Sequence, residues 1–327
     1  MKIVRFIPTL IVLIFVGTLL IPKSARSYLA QYSSASGTVT RARWDFSDFA
    51  VQWNVNPATA SNISGATSAQ DAITSGFGTW ASAPNTSIVA TRGADTQIAS
   101  AAFDGTNLIC FTCSTDFNTD GALAITFTTV ADGAGADDKR GGKSRFAGQI
   151  LDADILFNPA IKFSTDGSTS VDLQTVATHE IGHFLGLDHS AVVKATMFPF
   201  APPVAEHGLS YDDVAAIAAL YPKSSPDVAT GSISGKVTMA DGSPVFGAHV
   251  FADSTSAATA YPSNIRKTPI GTLSMPDGTY RIDGVPPDTY TVAAEPLDGP
   301  VTNSNVFSYA PAFKQSSVQT NFTTRWH

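Results

Sequence analysis

The segment that most restricts this chain is His179-Glu180-Ile181-Gly182-His183-Phe184-Leu185-Gly186-Leu187-Asp188-His189. His179 and His183 stand four apart, so a helix projects both rings from one face, close enough to share one metal ion. Glu180 lies about 100° round the same helix, where it can reach a metal-bound water but not easily the metal. A catalytic site of three protein ligands plus water needs a third donor. His189 comes six residues after His183, and a continuing helix would rotate it by about 600°, off the ligand face. Gly186 resolves this, because glycine takes positive φ without steric cost, ends the helix and swings His189 back.

Chance is a poor explanation of this pattern. Three of the six histidines lie within these eleven residues. At ordinary residue frequencies the full spacing arises in on the order of one chain in 100,000. Ile181, Phe184, Leu185 and Leu187 give the helix an apolar body, in which uncompensated histidines would be costly.

The N-terminus reads as an export signal. Lys2 and Arg5 precede an apolar-to-neutral run from Ile7 to Ile21, then Pro22 and a polar stretch. The run is 15 residues, short of the roughly 20 a membrane-spanning helix wants. Ala25-Arg26-Ser27 places cleavage after Ser27; an uncleaved anchor is the competing reading. Without residues 1–27 the chain has 16 basic and 27 acidic residues, a net of −11. That balance offers no footprint for nucleic acid and little attraction to anionic membranes. No stable membrane insertion is expected after cleavage, and nothing speaks to oligomeric state.

Cys110-Phe111-Thr112-Cys113 contains the only two cysteines. A redox motif would want a helix starting there, but Thr, Ser, Asp and Asn follow; a four-cysteine metal site lacks its second pair. In an oxidising compartment a local disulfide remains.

Texture divides the exported part. Residues 28–222 mix strands and helices. Val51–Val55 alternates, Ser68–Trp80 carries a one-sided apolar stripe, and Ser87–Ala90, Gly121–Thr128 and Gln149–Phe157 are strand candidates. Helices are expected over Val171–Leu185 and Leu209–Tyr221, the latter with Ser210 as N-cap and Asp213 in the capping position. Residues 131–145 read as an exposed loop. Residues 223–230, beginning just after Pro222, are a Pro/Ser linker between two cores. Residues 231–327 show short strands and Asp-Gly turns, the mark of a small all-β sandwich, with the pattern lost from about Gly299.

The eleven-residue segment resembles the metzincin clan of metallopeptidases, and its surroundings resemble the matrixin branch. Ser190 follows the third histidine, Thr196-Met197-Phe198-Pro199 is similar to the Met-turn, and Leu209–Val214 with Leu220-Tyr221 is similar to the last catalytic-domain helix. Gly148–Asn158 resembles the edge strand beside bound substrate. The resemblance implies an α+β fold, a metzincin-like catalytic domain with a twisted mixed sheet, an active-site helix and a C-terminal helix. It implies Zn2+ on His179, His183 and His189, and Glu180 as the general base that takes a proton from the attacking water. It also implies Met197 as a structural residue beneath the metal, protein or peptide substrates, and a pocket wall after Met197. Residues 231–327 resemble the carboxypeptidase regulatory-like sandwich, with which no catalytic residues travel.

The resemblance has gaps. No cysteine lies between Ser27 and the catalytic domain to act as a latency switch. Vertebrate calcium and structural-zinc segments are not recognisable. Asp132, Asp137 and Asp138 could take Ca2+, but a solvated acidic loop is the favoured reading, so Ca2+ stays unassigned. Asp152 and Asp154 alternate on a strand toward solvent or a loop, and His207 and His249 read as ordinary histidines. The expectation is a secreted zinc endopeptidase; the alternative is a cell-surface binding or adhesion protein with a non-catalytic metzincin-like domain. The intact Glu180 speaks against that alternative.

Overall fold

The computed structural model describes residues 30–34, 37–47, 50–58, 62–113, 121–168 and 171–327. The expected signal segment, residues 1–27, lies outside the described residues. The fold is α+β: a mixed sheet with helices packed against it, then a β-rich C-terminal region.

Strand β1 (Val51–Val55) buries Val51, Trp53 and Val55 and turns Gln52 outward, as a two-residue period requires. Helix α1 (Ala69–Ala81) starts at Ser68, whose side chain accepts from the Asp71 N–H. Its stripe of Ala69, Ala72, Ile73, Phe77 and Trp80 is buried. Phe77 stacks on Trp53 at 4.6 Å. With β2 (Ala90–Arg92), β3 (Leu108–Cys110), β4 (Ala124–Val130) and β5 (Ile150–Phe157), β1 forms a sheet ordered β2-β1-β3-β5-β4. All neighbours are parallel except β4, which runs antiparallel to β5. The strand expected over Ser87–Ala90 starts only at Ala90, because the Ser87 N–H is taken by the Tyr221 carbonyl.

A first expectation is overturned. Gly148–Asn158 is not the edge strand: β5 lies between β3 and β4, with all eight residues buried. The edge is β4. Asp152 and Asp154 made the stretch look half-solvated, yet both carboxylates are buried against a loop. They accept the N–H groups of Gly105 (2.9 Å), Ala102 (2.9 Å) and Leu108 (2.8 Å). Burial pushes their carboxyls up to about 7 and about 6.

Helix α2 (Leu173–Phe184) packs on α1, β4 and β5. Helix α3 (Tyr211–Leu220) opens with a reciprocal capping box between Ser210 and Asp213. Beyond it, β6 (Gly231–Lys236) pairs with β9 (Thr279–Val285). A second antiparallel sheet holds β7 (His249–Ser254), β8 (Ile270–Leu273), β10 (Tyr290–Glu295) and β11 (Arg325–Trp326), ordered β8-β7-β10-β11. The stretch that lost its pattern after Gly299 contains turns, one helical turn, α4 (Tyr309–Ala312), and the short strand β11. Tyr309 anchors it, buried and stacked on Phe246 at 5.4 Å.

The segment after Pro222 does not separate two cores. The Asp227 carboxylate accepts from the Asn85 N–H, and Val228 exchanges two 2.9 Å bonds with the Asn85 side chain. One apolar cluster runs from Trp53 and Ile181 through Val214 and Ile217 to Val250 and Ile282. The reason lies in α3, which buries Tyr211, Val214, Ala215, Ala216, Ile217 and Leu220 all round and so needs cover on more than one side. β9 supplies it: a Cβ on Gly284 would stand 3.0 Å from the Ala215 side chain.

Candidate metal centre

Helix α2 is fixed at both ends before any metal is considered. The Asp172 carboxylate caps it, accepting the Thr175 N–H at 2.7 Å and the Thr175 hydroxyl at 2.8 Å. At the other end orphan carbonyls need donors. Gln31 supplies His183 (3.2 Å), Trp44 Nε1 supplies Phe184 (2.8 Å) and the Tyr221 hydroxyl supplies Leu185 (2.6 Å). Gly186 sits at φ 93° and passes close to Ala42, whose carbonyl oxygen would stand 2.3 Å from any Cβ there. Only glycine fits that turn on both counts. It delivers Asp188 and His189 to the open face of the helix.

The three histidines converge. Their rings lie 4.8, 5.2 and 4.8 Å apart, and one ligand atom from each falls within 4.8 Å of the others. His183 Nε2 and His189 Nε2 are 3.3 Å apart, the edge of a tetrahedron with metal–nitrogen bonds of about 2.0–2.1 Å. Each Nδ1 faces a backbone carbonyl: Thr196 at 2.7 Å for His179, Leu187 at 2.8 Å for His183 and Asn305 at 2.7 Å for His189. A proton on each Nδ1 satisfies those carbonyls and leaves three Nε2 lone pairs aimed at one point. Burial pulls His179 and His183 down to about 3 and His189 to about 4, which keeps the rings neutral. The donor set therefore fits a single Zn2+. Among the described residues no other group of His, Cys, Asp and Glu gathers this way.

Glu180 is buried one step round the helix. Thr126 of β4 donates its hydroxyl to Glu180 Oε2 at 2.6 Å. Burial pushes the carboxyl up to about 7 against that bond. Met197 is buried against α2, where a Cβ on Gly182 would stand 2.2 Å from its sulfur. Asp213 holds this turn, accepting the N–H groups of Thr196 (2.8 Å) and Met197 (3.1 Å) while also capping α3. Ser190 donates to Asp212 at 2.6 Å. A cavity of about 640 Å3 opens beside His179, Glu180 and His189, walled by residues 193–196 and 198–204.

The remaining expected residues fall elsewhere. Cys110 and Cys113 are joined as a disulfide. Asp137 and Asp138 accept N–H groups of their own loop, and Asp137 faces Lys143 at 3.8 Å. His207 meets Asp172, and His249 is buried beside Glu295.

Three residues escaped sequence reasoning. Thr126 lay inside an expected strand, but nothing local marks its partner. Arg266 lines the cavity from the C-terminal region, pairs with Glu206 at 3.3 Å and donates to the Lys194 carbonyl and the Thr196 hydroxyl. Its only signal was a charged pair, Arg266-Lys267, in a weakly charged module. Asn305 acts through its backbone and left no signal.

Comparison with known proteins adds two domains and a set of relatives. The matrixin family model matches residues 43–222, and the carboxypeptidase regulatory-like domain matches 232–309. Metalloendoproteinase 4-MMP of Arabidopsis thaliana is 40% identical over 91 residues, 26% of either chain. Stromelysin-1 of Rattus norvegicus is 48% identical over 69 residues, 20% of this chain and 14% of its own. Karilysin of Tannerella forsythia is 42% identical over 67 residues, again 20% and 14%. The matches thus span about a quarter or less of these relatives.

Proposed function

The chain belongs to the matrixin family, whose model covers more than half of it, and from that premise we propose that it is an exported zinc endopeptidase acting on proteins or peptides. The observation that carries this reading is the convergence of three neutral imidazoles with a buried Glu180 at the mouth of an apolar-walled cleft. His179, His183 and His189 hold the metal. Zinc bound there would lower the pKa of a water toward 7 and polarise a carbonyl.

The chain's own groups supply the rest. Glu180, held at Oε2 by Thr126, takes the proton from the water that attacks the scissile carbonyl. As the C–N bond breaks, Glu180 returns that proton to the departing amine. Its environment suits both halves: a carboxyl near neutrality accepts and releases a proton at comparable cost. Met197 braces the base of α2. The 193–204 wall receives a substrate side chain.

Export is proposed from the signal-like residues 1–27; no helix among the described residues is long and apolar enough to cross a membrane. Residues 28–222 form the catalytic domain, 223–230 the connection and 231–327 the sandwich in this reading. A module of this kind suits retention on a substrate or surface.

Metal content and cleavage of a quenched-peptide library, with and without chelator, test the proposal on the chain from residue 28 onward. One zinc per chain with chelator-sensitive cleavage is the expected result. A chain that takes up no zinc would overturn it.

A further inference from the structure

The three carbonyls that orient the histidines come from increasing distances along the chain. Leu187 lies four residues from His183, and Thr196 lies 17 from His179. Asn305 lies 116 residues from His189, in the module that carries no catalytic residue by resemblance. The asymmetry has a physical origin. His179 and His183 stand on a packed helix that limits their rotamers. His189 follows Gly186 on a turn, where no helical neighbour holds its ring.

A clamp from the C-terminal region does that work. The Asn305 side chain accepts the Thr302 N–H at 2.8 Å and the Thr302 hydroxyl at 3.2 Å, closing a tight turn that aims its own carbonyl at His189 Nδ1. Phe307 presents its ring edge-on to His189 at 6.3 Å. Ser308 donates its hydroxyl to Asp188 Oδ2 at 2.6 Å, while Asp188 Oδ1 accepts the His189 N–H at 2.8 Å. Tyr32 N–H closes on the Ser308 hydroxyl at 3.1 Å, and Tyr309 roots the segment in the sandwich. Asp188 and His189, adjacent on this loop, are therefore gripped by three residues of the other module, Asn305, Phe307 and Ser308.

We infer that residues 305–308 complete the metal centre, with Asn305 as a positioning residue that fixes the tautomer and aim of His189. The inference rests on the proposed role of His189 as a zinc ligand. The sandwich is then part of the catalytic apparatus and not only an attachment. Losing an outer partner of a metal-bound histidine typically costs 10–100-fold in metal affinity.

The test uses the full exported chain and three variants. Asn305→Ala removes the acceptor that shapes the turn, Asn305→Asp keeps it, and Ser308→Ala cuts the grip on Asp188. Zinc affinity is read by competition with a chromophoric chelator. The slowly exchanging Nδ1 protons of the three histidines are read by NMR of the zinc-loaded protein, and apoprotein melting monitors folding. Asn305→Ala should bind zinc about tenfold more weakly and lose or shift the His189 Nδ1 proton alone. Asn305→Asp should restore both signals. Ser308→Ala, which leaves the turn intact, should weaken zinc in the same direction. Unchanged affinity and an unmoved His189 proton in both alanine variants would overturn the inference while leaving the protease reading intact. An aspartate variant as impaired as the alanine one would overturn it too. A parent chain that binds no zinc would sink both.

Discussion

Residues 173–189 and residues 302–309 meet at the His189 ring, and they arrive there under different rules. The first stretch is governed by short-range chemistry: an Asp172 cap, a helical repeat and a glycine stop place two histidines and Glu180 whatever lies around them. The second has no repeat and reaches a helical turn only at its last residue, and its place follows from Asp188 and Phe246 far away in the chain, which hold Ser308 and Tyr309. The contrast teaches that ligand identity can be written locally while ligand aim depends on distant residues. Four changes probe the contrast.

The largest effect belongs to the local side. Glu180→Ala should lose at least roughly a hundredfold in turnover and keep its zinc, since Glu180 is proposed as base and not ligand. Full activity in that variant would remove the mechanism. Gly186→Ala forces a side chain into φ 93° and against the Ala42 carbonyl. We expect a loss of roughly 1–3 kcal/mol in denaturant unfolding, together with weaker zinc binding. Parent-like values in both would show that the glycine stop is dispensable.

The seam between the two regions offers a middle test. Arg266→Ala removes the Glu206 pair and the bonds to Lys194 and Thr196 that tie the cavity wall to the sandwich. KM for peptides filling that wall should rise several-fold with kcat less affected. Equal falls in kcat and kcat/KM, with KM unchanged, would mean that Arg266 is felt in the transition state instead.

The smallest effect is a pH dependence. Burial, reinforced by the charge of Asp213, pushes Asp212 up to about 7, where it accepts from Gly271 and Ser190. The folded state then holds a proton that the unfolded state releases near 3.8. Stability from this group is present at the acid end, falls as pH rises from about 4 to about 7, and levels off above that. Asp212→Asn should therefore flatten part of the decline in melting temperature between pH 5 and pH 7.5. A decline as steep as the parent's would exonerate Asp212.

These differences mark where the sequence could be read. The triad, Glu180, the Gly186 stop, the Ser210–Asp213 capping box and the alternation of β1 all depend on neighbours within one or two turns, and all were legible. The position of β5 was misjudged because Asp152 and Asp154 look solvated until the 100–108 loop supplies their donors. The shared core was invisible because Pro and Ser at 222–226 resemble free linker, whereas Asn85 pins the segment only in three dimensions. Thr126, Arg266 and Asn305 share one difficulty: each acts on a partner dozens of residues away, and Asn305 does so with an atom that every residue possesses.

The reach of 116 residues from His189 to Asn305 also sets an order of events. A polypeptide made from its N-terminus displays all three histidines and Glu180 long before the carbonyl that aims the third one has been synthesised. During that interval the growing chain carries the three histidines without the carbonyl that orients the third. Under the proposed protease reading, full cutting power would arrive only once the C-terminal module that supplies this carbonyl has been made.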